Sequence, residues 1–304
     1  IKGGSQLSDL FSLPNANKLP RACLVKMQAV YPTLKRAEKQ AADVMLENPE
    51  YVASNTIVEL SSVSGCSETT WFRLAKRLGY SGFHEMKADM SQYLRNQENS
   101  DEQSGFYDNI DENSTTSEVA AVVFESSIAA LRDTLALIDE KQYTQAVDAI
   151  SSAKKIVLCG VGDAYAVVKS AYQKLFLAGF NVYESSDQDL QLLSISHLEK
   201  GDVVIAFSYS GKTKNIVDLV KYAREKEAIV IAITNFPVSP LAKNSDILLL
   251  TAAFSKHSSG EIVSKRITQM CVVESLYINL LNRKDLNLKK NIVSAHEALK
   301  KNKL

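Results

Sequence analysis

The chain has 304 residues, 45% hydrophobic and 23% charged, with 35 basic side chains balancing 35 acidic ones. That length and composition fit two globular domains, each able to bury a core, and zero net charge excludes a protein that coats nucleic acid through bulk charge. No apolar run approaches the roughly 18–20 residues of a membrane span, and the 4 separated cysteines show neither a CxxC pair nor metal-ligand spacing with histidine, as in a reduced, cytoplasmic protein.

Residues 1–20, with Lys2–Gly–Gly–Ser5 and two prolines, read as a tag remnant or flexible arm and lack the pattern of a signal peptide. A first domain, 21–97, holds 10 Lys+Arg against 8 Asp+Glu. Within it Thr56–Ile–Val–Glu59 fits a capping box that opens a short helix, Thr56 to about Val63. Gly65 suits a turn needing positive φ, Ser67 can cap a second helix, and Gly79 stops that helix. Helical spacing puts Phe72, Leu74, Ala75 and Leu78 on a buried stripe, and Thr69, Thr70, Arg73, Lys76 and Arg77 on or beside the outer face. Helix, glycine turn and helix make a helix-turn-helix. Its outer face suits a major groove, where Arg or Lys reads guanine edges and Thr or Arg grips phosphate. An ordinary helical hairpin with a solvated basic face fits the spacing equally well.

The wider window carries more. Thr33–Leu–Lys–Arg–Ala–Glu–Lys–Gln–Ala–Ala42, Leu46–Glu–Asn–Pro49, Ser64–Gly–Cys–Ser–Glu–Thr–Thr70 and Arg77–Leu–Gly–Tyr–Ser–Gly–Phe83 with His84–Glu–Met–Lys87 follow in order. Through them Ala22–Lys87 resembles the N-terminal domain of the RpiR family of bacterial transcription regulators. The resemblance implies binding to double-stranded DNA, with Ser67, Thr69, Thr70, Arg73, Lys76 and Arg77 as the contact residues. Cys66 stands where Val is usual, and Trp71–Phe72 where smaller aliphatics are usual. That bulky pair is expected to pack against the first helices, with Trp71 a secondary candidate for a phosphate or sugar contact.

Asn96–Ser117 is rich in Asn, Asp, Glu, Ser and Gly, and residues 98–118 hold 7 acids and no base. Such a stretch cannot bury enough surface to fold alone, so 98–117 reads as an acidic linker between amphipathic helices, Phe83 to about Gln97 and Glu118 to Asp139. The remainder, 118–304, alternates. Short β-rich runs at Lys155–Cys159, Val182–Tyr183, Val203–Phe207, Ile229–Ile233 and Ile247–Leu250 are interleaved with helical patterns at Ala164–Ala178, Asp187–Ser194 and Thr213–Glu227. This predicts a parallel sheet with helices on both faces, whose ligands sit beyond the carboxyl ends of strands, at a switch in strand order. Two strand ends stand out. Gly160–Val–Gly–Asp–Ala164 lacks the later glycine of a dinucleotide fingerprint and is no P-loop; it suits a tight strand-to-helix turn as well as a ligand loop. Ser208–Tyr–Ser–Gly–Lys–Thr213 offers hydroxyls and helix N-terminal amides to an anion, with Lys212 adding charge. Thr213 as an N-cap with the serines in its turn is the competing explanation.

These two loops, with Leu198–Glu–Lys–Gly–Asp–Val–Val–Ile205, Ile231–Ala–Ile–Thr–Asn235, Ser239–Pro–Leu–Ala242 and Asp246, resemble the sugar isomerase (SIS) domain over Ala146–Leu280. The resemblance implies phosphosugar binding, with Ser208, Ser210 and Thr213 on the phosphate and Gly162, Asp163, Gly211 and Glu261 in the same ligand site. The first loop of that family usually carries Ser where this chain has Ala164, so one hydroxyl is lost and the Asp163 carboxylate stands beside an anion site. Either binding is weak, or the ligand has fewer charges and Asp163 accepts its hydroxyls; the alternative is that Asp163 caps the helix and points away. Glu261, opening a helix to Leu280, is the one candidate general base for isomerisation, with His257 nearby. It also fits as a first-turn acid, and in RpiR-like regulators the equivalent Glu binds sugar hydroxyls without chemistry. His84, His197 and His296 fall outside these loops.

The order of the two resemblances is the RpiR architecture: an all-α helix-turn-helix domain followed by an α/β SIS domain. It implies a regulator, a repressor of sugar or amino-sugar genes, that responds to a phosphosugar with no catalysis, cofactor or metal. Homodimers or homotetramers, paired through Val119–Ile138 and Glu261–Leu280, would read a palindromic operator. The alternatives are a sugar-phosphate isomerase and a SIS protein that regulates a protein partner.

Overall fold

The computed structural model describes residues 23–31, 34–98, 110, 113–253, 263–283 and 288–302. The N-terminal arm, most of the acidic linker and the segment bearing His257 and Glu261 lie outside the described residues. The chain divides into two compact units, one of residues 1–138 with 252–265 and the other of 139–251 with 266–304.

The described part of the first unit is helical: α1 (Cys23–Val30), α2 (Arg36–Glu47), α3 (Pro49–Ser54), α4 (Ile57–Ser64), α5 (Glu68–Arg77), α6 (Phe83–Glu98) and α7 (Thr116–Ala136). Local chemistry sets the boundaries. Asn48 ends α2, and its side chain accepts the Tyr51 amide to start α3, where Pro49 occupies the first turn that tolerates it. Thr115 and Glu118 form a capping box on α7, so that helix begins two residues before the expected Glu118 and ends at Ala136. Met27, Met45, Val52, Leu60, Trp71, Leu74, Leu78, Met86 and Met90 make a core of fully buried side chains. Long side chains lace the rim: Lys87 Nζ donates to the Asn55 carbonyl at 2.7 Å, and the Tyr31 hydroxyl to Asp43 at 2.5 Å.

The second unit opens with α8 (Glu140–Ser152) and continues β1 (Ile156–Cys159), α9 (Asp163–Leu177), β2 (Val182–Glu184), α10 (Gln188–Ser196), β3 (Val203–Phe207), α11 (Lys214–Glu225), β4 (Ile229–Thr234), α12 (Pro240–Lys243), β5 (Ile247–Leu250), α13 (Lys265–Asn282) and α14 (Leu288–Lys300). All five strands are parallel, in the order β2-β1-β3-β4-β5. Period-two alternation sends Ile156, Leu158, Ile205 and Phe207 to one face, with Leu175, Val272 and Leu276, and Val157, Cys159, Val204 and Ala206 to the other, with Ile195, Ile216 and Val220. Each fully buried aliphatic contributes roughly 1.5–3 kcal/mol, which is why β1 and β3 are apolar at every position. Among the described residues no helix is long and apolar enough to cross a membrane.

The strand order decides where a ligand can sit. From β1 the chain moves outward to β2, then crosses back to place β3 on the other side of β1. The carboxyl ends of β1 and β3 therefore flank the switch point, where the crevice of an open α/β sheet lies. The Gly160–Ala164 and Ser208–Thr213 loops leave the sheet at those two ends.

Candidate functional site

In the first unit the side chains of interest ride on α5. Thr56 caps α4 by accepting the Glu59 amide at 3.3 Å; its own amide and hydroxyl donate to the Glu59 carboxylate at 2.7 and 2.8 Å, and those two bonds hold that carboxyl below its usual range. Gly65 ends α4 in the left-handed region, at φ 66°. Ser67 then caps α5 by accepting the Thr70 amide at 3.3 Å, and the two hydroxyls meet at 3.0 Å. The buried stripe differs from the one expected. Trp71, not Phe72, shares it with Leu74, Ala75 and Leu78; Trp71 is 0% exposed and Phe72 46%. An indole fits that stripe because its N–H finds the Ser64 hydroxyl at 3.1 Å and its ring meets Phe83 edge-on at 6.0 Å. Trp71 is thus no phosphate contact. Phe72 lies at the surface beside Gly82, with the Lys76 ammonium 5.6 Å from its ring centroid.

Thr69, Arg73 and Lys76 follow at i, i+4 and i+7 and are exposed, so they form one outward stripe along α5. Arg77 sits at its side, half-buried, with Nη1 3.1 Å from Glu38 on α2. That bridge fastens α5 to α2. Such a stripe presents two cations and a hydroxyl to a phosphate-lined groove.

In the second unit the β3–α11 loop is built from its own hydroxyls. Ser208 Oγ lies 3.0 Å from Thr213 Oγ1 and accepts the Gly211 amide at 3.1 Å, while Ser210 Oγ accepts the Lys212 amide at 3.2 Å. Thr213 stands at the N-cap position of α11, yet its side chain makes no capping bond. The first-turn amides therefore lack the side-chain oxygen that usually satisfies them. Asn215, the second residue of α11, holds its buried Nδ2 without a hydrogen-bond partner among the described residues. Donors without an acceptor, at the positive end of a helix, suit an anion. Gly211, at φ 62°, lets the turn press against Ser239, and the Leu241 amide closes on its carbonyl at 3.0 Å.

The β1–α9 loop is differently charged. Gly162 is the N-cap of α9, at φ 56° with open space over its Cα, and Asp163 is the helix's first residue, not its cap. Asp163 Oδ1 faces Arg266 Nη1 on α13 at 3.6 Å. The carboxylate expected to repel an anion is thus accompanied by a guanidinium. Gln191, almost wholly buried on α10, donates from Nε2 to the carbonyls of Ser185 at 2.7 Å and Gly160 at 3.3 Å, tying the ends of β2 and β1 together. A third group, which the sequence pattern alone does not flag, closes the end of β2. Glu184 accepts from the Tyr165 hydroxyl at 2.5 Å and the Lys169 ammonium at 2.7 Å. Burial pushes the Glu184 carboxyl up, but these two donors outweigh it and hold it below its ordinary value; the bond to Glu184 in turn raises Lys169. The signal that could have found it is an acid at a strand's carboxyl end with Lys and Tyr four residues apart on the preceding helix. Asp246, one carrier of the SIS resemblance, accepts the Val230 amide at 2.9 Å and is part of the scaffold.

Residues 22–97 match the helix-turn-helix domain of the rpiR family, and residues 149–279 match the SIS domain. The chain belongs to the RpiR family. Among its relatives, the HTH-type transcriptional regulator HexR of Escherichia coli is 29% identical over 280 residues, 92% of this chain and 95% of its own length. HexR of Pseudomonas aeruginosa is 27% identical over 276 residues, 91% of this chain and 95% of its own. In fold, this RpiR chain is similar to the Vibrio vulnificus NanR protein, solved in complex with ManNAc-6P. The TM-score is 0.59 at 24% identity, over 91% of this chain and 97% of that one.

Proposed function

We propose that this RpiR-family protein is a DNA-binding transcription regulator, a repressor of sugar or amino-sugar genes, whose second unit binds a phosphosugar that changes its affinity for the operator. The observation that carries this is the β3–α11 loop at the switch point. Three hydroxyls and an uncapped helix N-terminus meet there, and Asn215 in the first turn of α11 holds a donor with no partner among the described residues, in a chain whose α5 presents Thr69, Arg73 and Lys76 outward. Ser208, Ser210 and Thr213 take the phosphate with the Gly211 and α11 amides, the Gly162–Asp163 turn faces that phosphate from the end of β1, and the Glu184 end of the crevice takes the sugar. Glu261 contributes an acceptor to the sugar and performs no proton transfer. Two relatives named HTH-type transcriptional regulator HexR, from two bacteria, support the DNA-binding half. Two copies related by a two-fold axis present two α5 helices to a palindromic site. An effector can shift that equilibrium only through its differential affinity for the two states.

The test is selection of bound genomic DNA fragments by the intact chain, with and without pooled sugar phosphates, against an Arg73→Ala, Lys76→Ala double variant. Enrichment of a palindromic site by the wild type only, altered by one sugar phosphate, is the expected result. Turnover of a sugar phosphate that disappears in Glu261→Gln, with no enriched DNA, would replace the regulator with an isomerase.

A further inference from the structure

We propose that Arg266 is the cation that recognises the effector's phosphate, and that Asp163 holds it beside the site until the phosphate takes it; this rests on the phosphosugar reading of the loops. Arg266 is the second residue of α13, and its guanidinium faces the Asp163 carboxylate at 3.6 Å, with both side chains 45% exposed. That separation exceeds the roughly 2.7–2.9 Å of a charge-assisted hydrogen bond. The contact is Coulombic, screened by solvent, and cheap to break. It lies at the N-terminus of α9, where Gly162 leaves open space and supplies no capping side chain. An anion seated there meets the positive end of a helix and a guanidinium together.

A dianionic phosphate is the better partner for that guanidinium. It accepts two parallel N–H bonds from the planar fork, as a carboxylate held at 3.6 Å does not. The other acid on this side of the crevice, Glu184, is already occupied by Lys169 and Tyr165, so it does not compete for Arg266. Arg266 also supplies what Ala164 removes: the lost loop hydroxyl is replaced by a charge from α13. The two members of the pair then act with opposite signs. Asp163 competes with the phosphate for Arg266, and Arg266 binds it.

Calorimetric titration of the intact chain with a panel of sugar 6-phosphates, their unphosphorylated parents and inorganic phosphate tests this. Arg266→Gln is expected to weaken the phosphorylated ligand by about tenfold or more, the loss of one charge-assisted bond. Arg266→Lys should lose less, because it keeps the charge without the fork. Asp163→Asn is expected to strengthen the same ligand several-fold, and neither Arg266 variant should change binding of the parent sugar. Unchanged affinity in Arg266→Gln with a folded thermal transition would overturn the assignment and leave the loop site standing. Weakening by Asp163→Asn to the same extent as Arg266→Gln would also overturn it, marking the pair as a structural clasp. If the wild type bound no phosphorylated compound at all, the phosphosugar function and Arg266's part in it would both fall.

Discussion

Gly211→Ala should destabilise the second unit well beyond what a glycine substitution at an open turn costs. The cost has two parts. At φ 62° an L-residue suffers the left-handed penalty of roughly 1–2 kcal/mol. A Cβ there would also lie 2.1 Å from Ser239 Oγ and 2.5 Å from Ser239 Cβ. Ser239 cannot easily retreat, because its hydroxyl accepts the Ala242 amide at 3.3 Å to start α12. Overpacking of this kind adds about 1–3 kcal/mol, for a total of about 2–5 kcal/mol. Gly201→Ala is the control, since Gly201 sits at φ 86° in the same unit with nothing within 4 Å of its Cβ position. It should cost only the roughly 1–2 kcal/mol of backbone strain. Urea unfolding followed by far-UV circular dichroism measures both, and fluorescence of the sole tryptophan, in the first unit, separates the two transitions. Equal destabilisation by the two substitutions would refute the packing argument. So would full sugar-phosphate affinity in folded Gly211→Ala, because the loop could not then be so tightly fitted.

Ser64→Ala removes the acceptor of the buried Trp71 N–H and of the Cys66 amide, at a cost of about 1–3 kcal/mol, read from the tryptophan unfolding midpoint. Arg73→Ala and Lys76→Ala should each weaken DNA binding, and removing one cation from a DNA phosphate should flatten the salt dependence by about 0.9 in slope. Arg77→Ala, whose guanidinium is shared with Glu38, should act more on stability, by less than about 1 kcal/mol, than on salt dependence. The Glu184 carboxyl is held below its ordinary value of 4.5, so it stabilises the fold above that pH and the contribution is lost as pH falls through its lowered value. Glu184→Gln should therefore be less stable than wild type at neutral pH and converge with it in acid; a constant difference across pH would refute the pairing.

Local chemistry is legible in the sequence. The capping box at Thr56, the left-handed Gly65, the Ser67 cap and β3 and β5 at their expected bounds need only neighbours along the chain. Trp71 is harder: its position at i−3 and i−4 to Leu74 and Ala75 places it on the core stripe, but its indole N–H asks for a polar partner, and Ser64 meets that need only once α4 packs on α5. The α8 helix sits outside the alternating strand-and-helix pattern, although Asp139 caps it and Ala146, Ala149 and Ile150 share a buried face. The two acid–base pairs of the crevice are harder still, and only the Tyr165–Lys169 spacing ahead of Glu184 leaves a trace in the sequence. Asp163 meets Arg266, and Glu184 meets Lys169, only once the sheet has ordered its strands, and no local periodicity encodes that.

The same sheet imposes an order of events on the newly made chain. The α1–α6 helices draw their core from near neighbours, so they can settle while the rest is still being synthesised. The central strand β1 has no such option. Its ladder needs β3 as well as β2, and Ala178 waits for Asn291, 113 residues later, to satisfy its carbonyl at 2.9 Å. A ribosome therefore releases a folded α4–α5 hairpin well before the unit that carries Ser208 is complete, and truncated chains would keep the former without the latter.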